Sequence, residues 1–130
     1  MGDYTRPVTE IIRQRFSYRE YLETPIDGTQ QQQLREFMDR NPRGPWEAPQ
    51  RFELVAALEH DRASLKRLGT YGFIKNPMGF IVGGVHPGEK YLEDFGYVME
   101  RFILYATGIG LGTCWLGARL RKAVLRAGCR

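Results

Sequence analysis

A chain of 130 residues and 15.0 kDa has room for one hydrophobic core, and 42% hydrophobic with 26% charged residues, 15 glycines and 7 prolines is a globular balance that excludes wholesale disorder and collagen-like structure. Two cysteines, Cys114 and Cys129, are too few for a disulfide framework or a cysteine-built zinc cage. A net charge of +4 invites a nucleic-acid reading, but residues 1–60 carry 8 basic and 10 acidic side chains, residues 61–118 carry 6 and 5, and residues 119–130 carry 5 and none, which excludes a basic groove spread over the body.

Taken in chain order, Met1 to Pro7 is polar with no apolar h-region, so the expected compartment is the cytoplasm. Val8, Ile11, Ile12 and Phe16 fall at helical spacing and predict a helix over roughly 9–17. Pro25 breaks that pattern. Asp27-Gly28-Thr29 then signals a turn and N-cap ahead of a helix that carries Leu34, Phe37 and Met38 and runs to about Arg40. Asn41-Pro42-Arg43-Gly44-Pro45-Trp46 defeats both regular periods and reads as a loop. Phe52 to Leu58 is a strand candidate, His60 to Leu68 a short helix stopped by Gly69, and Gly79 to Val85 the central strand after a break at Asn76-Pro77. His86-Pro87-Gly88 turns the chain into the longest helix, marked by Phe95, Val98, Met99, Phe102, Ile103 and Ala106. No charge appears from Phe102 to Ala118, yet Gly108, Gly110 and Gly112 punctuate the run, so it is read as a buried helix, a turn and a strand rather than a membrane span. The expected order is α, α, β, α, β, α, β.

Few residues carry candidate chemistry. At about 100° per residue, Arg15 lies between Ile11 and Ile12 in azimuth, on the apolar face of the first helix. A guanidinium there must snorkel or meet an anion, because burying it unpaired is expensive. Two accounts stay open: a structural salt bridge, or a phosphate site built from Arg15, Ser17 and Arg19. Gly108-Ile109-Gly110-Leu111-Gly112 follows a helix and precedes a strand-like run, the reverse of a dinucleotide-binding fingerprint, and reads as a tight connection. His60 and His86 stand alone, so no metal site is expected. No hydrolase motif occurs, which leaves any reaction to a cofactor. The basic run Arg119, Arg121, Lys122, Arg126 and Arg130 is either a solvated end or a phosphate-binding arm.

Several segments together resemble the FMN-dependent nitroreductase family, within it the type first described from thermophilic bacteria. The run from Ile11 to Tyr21, followed by Pro25-Ile26, is similar to the family's opening R-x-S-x-R-x-[FY] motif. Carried over by position, the resemblance implies that Arg15, Ser17 and Arg19 grip the FMN ribityl phosphate and that Phe16 lies beside the cofactor. Gly96 to Ala106, continued by Gly110-Leu111-Gly112-Thr113-Cys114-Trp115-Leu116-Gly117, resembles the second signature and implies that Trp115, Leu116 and Gly117 touch the flavin. Arg51 to Val55 is similar to the strand after the family's cofactor loop, while Asn41, Pro42 and Trp46 only echo that loop, so no residue is carried over from it.

The resemblance implies an α+β nitroreductase-like fold, here partial, with a mixed or antiparallel sheet packed by helices. It implies a homodimeric FMN oxidoreductase that takes reducing equivalents from NAD(P)H to a small-molecule acceptor, a nitroaromatic or quinone, with no side chain needed as a general acid or base, no nucleic acid and no membrane. The family domain is expected over residues 1–118, and residues 119–130 as a basic tail of different character, which makes the chain a truncated relative. The alternative is a non-catalytic flavodomain or dimerisation module with weak or no FMN binding.

Overall fold

The computed structural model describes residues 4–20, 25–56 and 78–115. The expected helix at 60–68, the end of the first strand at 57–58, the break at 76–77, most of the strand after the glycine turn, and residues 119–130 lie outside the described residues.

Helix α1, Val8–Gln14, buries Ile11, and its last turn closes where the Arg15 N–H donates to the Ile11 carbonyl. It is shorter than the expected 9–17. Arg15 is already extended, with φ −70° and ψ 132°, because the next residues pair with a distant part of the chain: the Tyr18 N–H donates to the Thr113 carbonyl at 2.9 Å. Helix α2, Gly28–Arg40, starts at the Asp27 N-cap signalled by the sequence. There the Gln30 N–H donates to Asp27 Oδ1 at 2.7 Å and the Asp27 N–H to Gln30 Oε1 at 3.4 Å, a reciprocal capping box that satisfies two otherwise orphaned donors.

Strands β1, Gln50–Ala56, and β2, Gly79–Val85, pair antiparallel with Phe52 opposite Gly83 and Leu54 opposite Ile81. β1 begins two residues earlier than Phe52 because Gln50 and Arg51 find partners in Val85 and Gly84. Alternation turns Phe52, Leu54 and Ile81 toward the helices and leaves Arg51 and Glu53 outside, joined by a 3.0 Å ion pair. Gly83 is where the sheet meets a helix: a Cβ there would stand 2.7 Å from the Phe52 ring and 2.8 Å from Phe95.

Helix α3, Tyr91–Gly108, is about 27 Å long at 1.5 Å per residue and packs on α1, α2 and β2. Its stripe Val98, Met99, Phe102, Ile103, Tyr105 and Ala106 joins Leu34, Phe37 and Met38 of α2 in one core. Phe37 stacks on Tyr105 at 4.2 Å between centroids, and Phe52 meets Phe102 edge-on at 4.8 Å, the offset and T-shaped arrangements that ring quadrupoles favour. No helix among the described residues is long and apolar enough to cross a membrane. The α+β fold expected from the sequence is the one observed.

Candidate functional site

The two motifs singled out in the sequence lie almost a hundred residues apart and meet at one point. A single parallel bridge pairs Ser17 with Thr113. α3 makes this possible by carrying the chain back across the core to the Gly108–Gly112 turn, where Gly110 takes φ +95°. That turn is fixed from several sides. Thr5 Oγ1 donates to the Gly108 carbonyl at 2.9 Å, Gln30 Nε2 to the Ile109 carbonyl at 3.1 Å, and the Leu111 N–H to the Ala106 carbonyl at 2.9 Å. A Cβ at Gly112 would stand 2.9 Å from the Tyr18 ring, so the backbone there passes close to it.

An extended segment from Arg15 puts alternate residues on opposite faces. Phe16 and Tyr18 share one face and stack at 4.1 Å between centroids. Arg15, Ser17 and Arg19 therefore share the other, with Thr113 opposite Ser17. In parallel register, Arg19 and Trp115 are each two residues beyond the bridge. The bridge thus brings Ser17 beside Thr113, with Arg15 and Arg19 two residues to either side of Ser17 and Trp115 two residues beyond Thr113. Phe16 faces the other way and is 57% exposed, while Leu116 and Gly117 lie outside the described residues. The helical azimuth assigned to Arg15 is corrected: it caps α1 rather than riding on it.

Arg15 is anomalous for another reason, the burial of one edge of its guanidinium. Its Nε and Nη2 atoms are buried and, among the described residues, have no hydrogen-bond partner, so the salt-bridge account does not hold for this edge of the guanidinium. Nε–H and Nη2–H point the same way from the planar group and form the fork that takes two oxygens of a phosphate or carboxylate. Left empty, such donors carry a desolvation penalty. Thr113 Oγ1 is buried and unpartnered in the same way. Residues with these donors fit the phosphate end of FMN. Trp115 is 39% exposed and its indole N–H is committed to Glu100 Oε2 at 2.9 Å, which fixes the ring's orientation and leaves only its faces for a flat ligand.

Sequence reasoning missed Asp94. It is fully buried in the first turn of α3 and accepts from the Trp46 N–H, the Ala48 N–H and Gln50 Nε2, each at 2.9 Å. The carboxylate organises the 44–50 loop, and a Cβ at Gly44 would occupy its place. The signal was present: Asp94 precedes Val98 and Phe102 at intervals of four, a charge on the apolar stripe. Among the described residues no group of three or more His, Cys, Asp and Glu side chains is arranged to hold a metal.

The arrangement defines an α+β protein of nitroreductase architecture, an oxidoreductase class. A nitroreductase family protein from Clostridium novyi NT, known from its crystal structure, superposes with a TM-score of 0.70 at 26% sequence identity, over 93% of this chain and 76% of that one. The model of the family described as "Putative TM nitroreductase" matches residues 7–128, and the chain belongs to that family. Comparison with curated proteins gave no match.

Proposed function

We propose that the protein is an FMN-dependent oxidoreductase of the nitroreductase type, working as a cytoplasmic homodimer on a small-molecule acceptor. The observation that carries this reading is the buried, unpartnered Nε–Nη2 edge of Arg15, on the same ladder face as Ser17 and Arg19. Family and architecture support an oxidoreductase, and this edge is the feature that asks for an anion.

In this reading Arg15 holds the phosphate through two parallel N–H donors, while Ser17 and Arg19 add a hydroxyl and a second positive charge at the same end. Trp115, Leu116 and Gly117 border the ring, with the Trp115 indole held in place by Glu100. The chemistry supplied by bound FMN is hydride acceptance from NAD(P)H followed by reduction of an acceptor such as a nitroaromatic or quinone. The chain's own part is to bind, orient and shield, and no side chain has to move a proton.

The test is the visible spectrum of the purified protein and an FMN titration into the flavin-free form, followed by quenching of flavin fluorescence. Arg15→Ala should weaken FMN by about 10- to 100-fold, the range expected for losing hydrogen bonds to a charged group. A wild-type protein that stays colourless with FMN in excess would sink the reading and leave the non-catalytic module in its place.

A further inference from the structure

Thr113 lies within the second signature but is not among the residues that the resemblance assigns to the cofactor, and beside Arg15 it carries a second buried orphan. We infer that Thr113 is a phosphate-holding residue, its hydroxyl donating to the same anionic group that Arg15 takes on its Nε–Nη2 edge; the inference rests on the FMN reading.

The geometry argues it in three steps. The bridge sets Thr113 directly across from Ser17, at the spacing of adjacent strands, about 4.8 Å. Alternation then places its side chain on the face of Arg15 and Ser17, not on that of Phe16 and Tyr18. The backbone there is pinned by the Tyr18 N–H on the Thr113 carbonyl and by Gly112 against the Tyr18 ring, so the hydroxyl cannot leave for solvent by a simple backbone shift.

The chemistry is complementary. A threonine hydroxyl needs an acceptor for its proton, and a phosphate offers only acceptors. Two segments joined by the Ser17–Thr113 bridge that each bury a polar donor without a protein partner, on the same face and two residues apart in register, are better explained by one shared ligand than by two independent defects, since buried polar groups are normally satisfied. The β-branch restricts χ1, so the hydroxyl is presented with little rotamer freedom to lose on binding.

The experiment compares wild type, Thr113→Val, Thr113→Ser and Arg15→Ala as full-length, flavin-stripped proteins. Each is titrated with FMN and with riboflavin, which lacks the phosphate, and each melting temperature is measured without ligand. Thr113→Val should weaken FMN by about tenfold and leave riboflavin unchanged, while Thr113→Ser stays within about twofold of wild type. The unliganded Thr113→Val protein should melt at or above the wild-type temperature, because a methyl replaces an unsatisfied hydroxyl of the same shape. FMN binding unchanged in Thr113→Val, or FMN and riboflavin weakened alike, would overturn the inference. If Arg15→Ala loses FMN while Thr113→Val does not, the role of Thr113 falls alone. If wild type takes up no FMN, the functional reading falls and this inference with it.

Discussion

Polar groups inside an apolar face are where this chain departs from pattern, and Asp94 shows what such a group can hold. Its two oxygens receive three donors from the 44–50 loop, whose own backbone satisfies only the Glu47 N–H, on the Gly44 carbonyl, among these positions. Asp94→Ala should cost about 3 kcal/mol or more, because it strands those donors in a buried setting. Urea unfolding checks this, and a loss under about 0.5 kcal/mol, the scale of an ordinary surface change, would mean the loop does not depend on the clamp. Asp94→Asn should lose less, since one oxygen and the shape remain. Asp94 was legible, though unread, as a charge on the apolar stripe of α3, whereas Arg15 was singled out by a helical azimuth that its extended backbone does not keep. The role of Thr113 was not legible: it lies in the second signature, but only the bridge to Ser17 reveals what its side chain faces.

Elements held together by local rules were read well from the sequence, and those shaped by distant partners were not. The Asp27 cap, the stripe of α3 and the limits of β2 follow from neighbours within a few residues. The end of α1 does not, because Val8 to Phe16 keeps helical spacing and only the pairing with residue 113 draws the chain out after Gln14. The start of β1 is likewise set across the sheet by Val85 and Gly84. Gly112 is the element-scale test of that pairing. A Cβ there would come within 2.9 Å of the Tyr18 ring at its root, where the side chain has no freedom to move aside. Gly112→Ala should force the two segments apart and weaken FMN at least about tenfold, the effect of losing one charge-assisted hydrogen bond. The helical circular dichroism should be retained, since α2 and α3 pack elsewhere. Wild-type affinity in this variant would show that the ladder is not what assembles the site.

At the scale of the molecule, the site is a clasp between regions far apart along the chain. Residues 15–19 follow α1, residues 111–115 follow α3, and the turn between α3 and the ladder is also tied to α2 through Gln30. Unfolding separates these segments, so the unfolded chain keeps no site and any ligand bound to the folded form must stabilise the whole domain. At a free FMN concentration of 100 times the dissociation constant the gain is about 2.7 kcal/mol. For a chain of this size one kcal/mol shifts the melting temperature by a few degrees, so FMN should raise it by roughly 10 °C. Arg15→Ala, measured at the same FMN concentration, should lose about half of that increment if binding weakens about tenfold and most of it if binding weakens about a hundredfold, where the protein is only about half-saturated. Riboflavin should give a smaller shift in the wild type, since the buried donors at Arg15 and Thr113 stay unmet without the phosphate. Differential scanning fluorimetry is compromised by flavin emission, so the melt is best followed by circular dichroism at 222 nm. An FMN-independent melting temperature would mean that the folded protein does not bind FMN, a shift undiminished in Arg15→Ala would place the binding outside the Arg15–Thr113 clasp, and a shift largely lost with Arg15 ties the stability of both chain regions to one anion.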